Sequence, residues 1–126
     1  MVIVCIDDDV DDLDVLCEAI RRVDSNCICH MANNGDLGLK LVKKVNPDFI
    51  FLDINMPVMD GKKILQAIRR DDGLNKIPVC IHSTTVTSKE KDCLMSMGAN
   101  YCIQKANSFD DLCATLKMLL HIKEPI

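Results

Sequence analysis

Asp48-Phe49-Ile50-Phe51-Leu52-Asp53-Ile54-Asn55-Met56-Pro57-Val58-Met59-Asp60-Gly61 decides how the rest of the chain folds. Phe49 to Leu52 form a short apolar run of the kind that makes a strand buried on both faces, and the chain turns polar at Asp53. A carboxylate thus stands at the end of a core strand, followed by a loop from Pro57 to Gly61. Open parallel sheets bind and react at the carboxyl ends of their strands, so this position suits chemistry. It equally suits an Asp that caps the next helix. Other parts of the chain have to decide between the two.

Upstream, residues 2–6 are a continuous apolar run that ends at Asp7-Asp8-Asp9. From Val10, the residues Leu13, Cys17, Ile20 and Val23 recur at helical spacing, and acids before them favour a helix N-terminus. Residues 26–31 read as a second strand, broken by Asn33-Asn34-Gly35. Leu37, Leu41 and Val45 mark a second helix that ends at Asn46-Pro47. Downstream, a third helix runs from about Asp60 to Arg70, with Ile64, Ala67 and Ile68 inward, and Asp72-Gly73 closes it. Ile77 to His82 make a fourth strand, leading into the hydroxyl-rich loop Ser83-Thr84-Thr85. Thr87 or Ser88 caps a fourth helix that Gly98 stops after Met97. Asn100 to Ile103 are a short fifth strand with Lys105 just beyond it. Phe109, Leu112, Cys113, Leu116, Leu119 and Leu120 then form the clearest helical stripe, with Asn107 or Ser108 as cap and only Lys123 to Ile126 trailing.

Five strands alternating with five helices predict an α/β fold, a doubly wound parallel sheet with right-handed crossovers and helices on both faces. The flavodoxin-like order 2-1-3-4-5 sets the ends of strands one and three side by side, so Asp7 and Asp8 should face Asp53. No repeat, low-complexity tract or linker divides the chain, and 126 residues make one domain spanning residues 1–126.

A net charge of -4 without a basic, aromatic-interleaved patch argues against nucleic-acid binding. Met1 to Ile6 have no basic lead and meet acid at Asp7, so they are neither a signal peptide nor a membrane span, and a cytoplasmic location is expected. The eight cysteines include no Cys-x-x-Cys pair; most fall in apolar runs and read as small buried hydrophobes. Cys27-Ile28-Cys29-His30 lacks two further ligands at metal spacing. Asp7, Asp9, Asp11 and Glu18 fit part of a calcium loop, but its sixth place holds Asp12 instead of Gly and a strand precedes it. Asp9, Asp11, Asp12 and Asp14 are expected on the surface. His82 reads as a packed or half-exposed residue, and Met56, Met59, Met95, Met97 and Met118 as mostly core or contact residues.

Carboxylates converging at one sheet edge raise each other's pKa unless a cation sits among them, and an all-oxygen pocket suits Mg²⁺. Ser83 and Lys105, from the ends of strands four and five, supply a hydroxyl and an ammonium at the same edge. Together these groups describe a phosphoryl-binding site in which Asp53 can attack phosphorus to give an acyl phosphate.

Here the chain resembles the receiver domain of two-component response regulators, in a single-domain, chemotaxis-regulator-like form. The similarity covers essentially the whole length. It rests on Ile6-Asp7-Asp8-Asp9, on Pro47-Asp48 through Met56-Pro57-Val58-Met59-Asp60-Gly61, on Pro78 through Ser83, and on Gly98-Ala99 through Lys105. The resemblance implies that Asp53 is the phosphoacceptor, that Asp7 and Asp8 hold Mg²⁺ with it, and that the backbone carbonyl of Asn55 completes the protein ligands. It implies Ser83, in the hydroxyl loop with Thr84, and Lys105 as phosphoryl-binding and switch residues, and Asn55 and Thr85 as residues that tune hydrolysis. A histidine kinase or phosphotransfer protein would be the donor. With no output domain after helix five, a protein target would read the state by contact, unless the chain is a fragment of something longer. The expected form is a monomer or a weak phosphorylation-dependent dimer, with no nucleic acid or membrane bound and no turnover enzyme.

Two departures stand out. The strand-five aromatic of the family aligns with Cys102, and Tyr101, one place earlier, faces the other way in a strand. The family's Lys-Pro is Lys105-Ala106, where a cis bond would lack the help of proline, so either the strain is kept or the loop is rebuilt. A haloacid-dehalogenase-like phosphatase would use the same nucleophile, but the second acid it wants is Asn55 here. A receiver-like interaction module that no longer switches is a further alternative. A flavin carrier is disfavoured because strand one leads into acid.

Overall fold

The computed structural model describes residues 1–56 and 60–121; Pro57, Val58, Met59 and the trailing Ile122 to Ile126 lie outside the described residues. The chain alternates β1 (Val2–Ile6), α1 (Val10–Val23), β2 (Ile28–Ala32), α2 (Gly35–Val45), β3 (Phe49–Leu52), α3 (Gly61–Arg70), β4 (Val79–Ser83), α4 (Ser88–Ser96), β5 (Tyr101–Gln104) and α5 (Phe109–His121). The strands form one parallel sheet in the order β2-β1-β3-β4-β5, as expected. Register sets Ile6 beside both Ala32 and Leu52, so β1 and β3 end level with one another.

Strand residues point alternately to the two faces, and the central strands serve two cores at once. Ile3, Cys5, Phe49, Phe51 and Cys80 pack against Leu13, Leu16, Ile20 and Leu116 of α1 and α5. Val4, Ile6, Ile50, Leu52, Val79 and Ile81 pack against Val42, Ile64, Leu65, Ile68 and Leu94 of α2, α3 and α4. The Cys17 and Cys5 sulfurs lie 3.9 Å apart in the first core, and all eight cysteines are free. Burial pushes the Cys27 thiol up to about 11, the behaviour of an inert structural thiol.

Capping follows the sequence. Asp9, Asn34, Asp60 and Thr87 accept from backbone N–H groups of the first turns of α1 to α4, and Ser108 does so for α5. Asn46 ends α2 in the left-handed conformation, at φ 48°. Gly98 has φ 109° where α4 gives way to β5. The strand limits shift: Cys27 lies in a turn, its N–H donating to the Asp24 carbonyl, and Ser83 is the last residue of β4, not the first of its loop. β2 is an edge strand, and its Ile28 and Met31 are 56% and 44% exposed.

The residues expected as core or contact residues divide between the two. Met56 is buried, but Met95, Met118 and Cys93 are exposed. Among the described residues, no helix is long and apolar enough to cross a membrane.

Asn100 ties β4 to β5 below the site. Its Oδ1 accepts from the Val79 N–H and from Arg69 Nη2, each at 2.9 Å, while its own N–H donates to the Val79 carbonyl. Asn100→Ala strands one strand-end donor and one guanidinium, so urea unfolding should show a loss of about 1–2 kcal/mol.

Candidate functional site

Asp7, Asp53 and Lys105 are each carried to the carboxyl edge of the sheet by a backbone bond that extends the ladder. The Asp7 N–H donates to the Ala32 carbonyl, the Asp53 N–H to the Ile6 carbonyl, and the Lys105 N–H to the Ser83 carbonyl at 2.7 Å. The expected neighbours therefore meet: one carboxylate oxygen from each of Asp7, Asp8 and Asp53 lies within 4.8 Å of the others. Asp7 and Asp53 are 4% and 5% exposed, while Asp8 faces solvent.

The carboxylates are aimed by hydrogen bonds. Asp7 Oδ1 accepts from the Asp9 N–H and Asp53 Oδ1 from the Asn55 N–H, each at 3.0 Å, the short-range turn chemistry of Asp. The fully buried Ser83 donates its hydroxyl to Asp53 Oδ1 at 3.1 Å and accepts from Asn55 Nδ2 at 2.8 Å. Asn55 is thus tied to Ser83 through its amide, and position 55 offers no second acid. Thr84 and Thr85 are exposed; the Thr84 carbonyl accepts from Gln104 Nε2 at 2.9 Å.

Lys105 reaches Asp7 at 2.8 Å, Asp53 at 3.4 Å and also Asp12 at 2.7 Å. Asp12, expected on the surface, is part-buried and belongs to the site's hydrogen-bond network. Helical spacing shows only which face Asp12 occupies; the reach of Lys105 across 93 positions has no local signal. Asp9 is the α1 cap. Burial favours the neutral form of Lys105, yet the bonds to Asp12 and Asp7 and the charge of Asp53 outweigh it and hold the ammonium above its ordinary range. Burial pushes Asp7 up to about 6, against the pull of Lys105.

An all-oxygen donor set of three carboxylates, two of them buried, fits a hard divalent cation that keeps part of its water shell. An added positive charge would relieve the burial that raises Asp7.

The two departures resolve. Tyr101 stacks on Phe49, with ring centroids 6.0 Å apart, in the α1/α5 core, whereas Cys102 packs on the opposite side, so Tyr101 does not take the place of the strand-five aromatic. The Lys105–Ala106 bond is trans, so the strain of a cis bond without proline is not kept.

His82 is 5% exposed and packs edge-on to Phe51, with Nε2 buried and unpartnered. Burial, then the charge of Lys105, pulls its pKa down to about 4, against Asp53 and Asp12. The unfolded chain takes up this proton near 6.5 and the folded one only near 4. Stability from His82 is therefore complete above pH 6.5 and falls as pH drops towards 4, by at most about 1.4 kcal/mol per pH unit. Asp7, raised in the fold, opposes this over roughly pH 4–6. Urea unfolding of wild type minus His82→Leu should show the His82 slope alone.

A model of the response regulator receiver domain matches residues 3–117. The chain is 33% identical over 118 residues to transcriptional regulatory protein PrrA of Mycobacterium leprae, covering 94% of this chain and 49% of that protein, so it spans about half the relative's length. Its fold matches the signal receiver domain of a DNA-binding response regulator (merR) from Colwellia psychrerythraea 34H, with TM-score 0.85, 26% identity, and coverage of 96% of this chain and 98% of that one. It also matches chemotaxis protein CheY4 of Vibrio cholerae, with TM-score 0.82, 23% identity, and coverage of 93% and 96%. The family is characteristically a signalling switch and not an enzyme. The chain belongs to the response regulator receiver domains, the phosphorylation-dependent modules of two-component signalling.

Proposed function

We propose that residues 1–126 act as one receiver domain that takes a phosphoryl group on Asp53 from a phosphohistidine of a histidine kinase or phosphotransfer protein. The supporting observation is the convergence of Asp7, Asp8 and Asp53 within 4.8 Å at the sheet edge, with Ser83 and Lys105 closing the pocket. An Asp53 carboxylate oxygen attacks phosphorus, the phosphorus–nitrogen bond of the donor breaks, and the imidazole leaves with the electron pair. Asp7, Asp8, Asp53 and the Asn55 carbonyl would hold Mg²⁺, which when bound offsets charge on the transferring group. Lys105 offsets charge from the other side, and the Ser83 hydroxyl turns from Asp53 to a phosphoryl oxygen. Asn55 and Thr85 flank the path of hydrolytic water and set how long the group persists.

The added charge biases the packing of the β4–α4 region, where Ser83 joins the loop to α4, and a protein target reads the change. Turnover of a phosphate ester is not expected of this module. Incubation with Mg²⁺ and acetyl phosphate should raise the intact mass by one phosphoryl group, and an unchanged mass would contradict the reading.

A further inference from the structure

The shortest contact of Lys105 is to an acid outside the cluster around Asp53. Its Nζ lies 2.7 Å from Asp12 Oδ2 and 2.8 Å from Asp7 Oδ2, but 3.4 Å from Asp53 Oδ2. An ammonium has three N–H donors, and two of them are committed to short bonds away from the proposed phosphoacceptor. Asp12 rides on the first turn of α1 and takes no part in the convergence of Asp7, Asp8 and Asp53.

Asp12, Lys105, Ala106 and His82 border one small cavity of about 50 Å³. His82 forms its inner wall, and His82 Nε2 is buried with no partner. Native folds leave few such atoms unpaired, and each calls for an explanation. Val15, Ala106 and Leu112 complete a lining that is half apolar, and Lys105 is one of its three polar residues, so a rearrangement of Lys105 would change what His82 meets.

We propose that Asp12 is a positioning residue, a resting anchor that holds Lys105 back from Asp53 and passes to His82 Nε2 when a phosphoryl group draws the lysine away. The proposal rests on the reading of Asp53 as phosphoacceptor. Turning the Asp53 carboxylate into an acyl phosphate adds about one further negative charge and three strong acceptor oxygens on the Asp53 side of Lys105, enough to outcompete one part-exposed carboxylate. Once Lys105 has moved, Asp12 lacks a cation and His82 still lacks a partner. A carboxylate-to-imidazole hydrogen bond across the vacated recess satisfies both. The two arrangements differ in the positions of two side chains, Lys105 and Asp12, which border the same recess as His82.

Until phosphorylation, the anchor opposes the reaction, because part of the barrier is the release of Lys105 from Asp12. Asp12→Asn keeps the shape and removes the charge. With Mg²⁺ and acetyl phosphate, its second-order rate of phosphoryl uptake should exceed that of wild type by about two- to fivefold, the range expected for a part-exposed ion pair. Asp12→Ala should accelerate in the same direction. Mg²⁺ affinity by calorimetry should stay within about twofold of wild type, because Asp12 is not among the proposed ligands. A purely structural role would slow uptake and weaken ion binding together.

The second readout is nitrogen-15 NMR of the histidine rings. In wild type the His82 Nε2 resonance should shift to a hydrogen-bonded position on adding Mg²⁺ and beryllium fluoride, and in Asp12→Asn it should not. Equal or slower uptake by both Asp12 variants, or the same His82 shift in wild type and variant, would overturn the anchor while leaving Asp53 as phosphoacceptor. A wild-type chain that takes up no phosphoryl group would instead overturn the reading of Asp53, and the anchor with it.

Discussion

Asp53→Asn should abolish phosphoryl uptake while leaving the fold intact. The side-chain amide has nearly the size of the carboxylate, and its oxygen can keep the bonds now made to Asp53 Oδ1 by the Ser83 hydroxyl and the Asn55 N–H. It lacks the anionic oxygen that an attack on phosphorus requires. The variant also removes one of three negative charges held within 4.8 Å, so its unfolding midpoint in urea should equal or exceed that of wild type. Intact-mass measurement with Mg²⁺ and acetyl phosphate should show one added phosphoryl group on wild type and none on the variant. A variant that is labelled as fully as wild type would place the acceptor elsewhere, with Asp7, Asp8 and Asp12 the nearest candidates.

The second large effect is expected at Gly61, the last residue of the stretch that decides the fold. A Cβ built there would stand 2.5 Å from the Asp53 carbonyl oxygen and 2.6 Å from Ile54 Cα. Both are backbone atoms and cannot swing aside as a side chain would. Either the first turn of α3 lifts from the end of β3 or the segment carrying Asp53 shifts. Gly61→Ala should therefore destabilise by about 2–3 kcal/mol in urea unfolding. It should also lower phosphoryl uptake in the folded fraction, since a displacement of about 1 Å at a reacting group costs up to roughly 10²-fold. Gly73→Ala is the control: its Cβ meets one side-chain oxygen, that of Asp71, at 3.3 Å, and the cost should stay below about 1 kcal/mol. A Gly61→Ala protein as stable and as reactive as wild type would show that α3 is not seated against Asp53.

Much of this was legible because the signals are local. The apolar runs at 2–6 and 49–52 and the stripes of α1 and α5 depend on burial period alone, and these runs lie where the strands lie. Acid and lysine stand directly after a strand and the hydroxyl of Ser83 on the last residue of one, and parallel topology then brings Asp7, Asp8, Asp53, Ser83 and Lys105 to one edge. The illegible parts depend on side chains meeting across the fold. Asp12 was indistinguishable from its exposed neighbours Asp11 and Asp14 until α1 was placed beside Lys105. His82 ends an apolar strand in the sequence, and only packing shows that its Nε2 has nothing to bond. The exposure of Cys93, Met95 and Met118 escaped for a simpler reason: soft, adaptable side chains carry little information about which side of a helix is buried.

The central claim is that acids from the ends of β1 and β3 form one ion-dependent acceptor centre with Asp53 as its nucleophile. Reductive trapping of the acyl phosphate with borohydride, followed by peptide mass mapping, tests it directly. The account predicts modification at residue 53 alone, present with Mg²⁺ and lost on chelation; modification at any other acid, or equal yield without the ion, would contradict it.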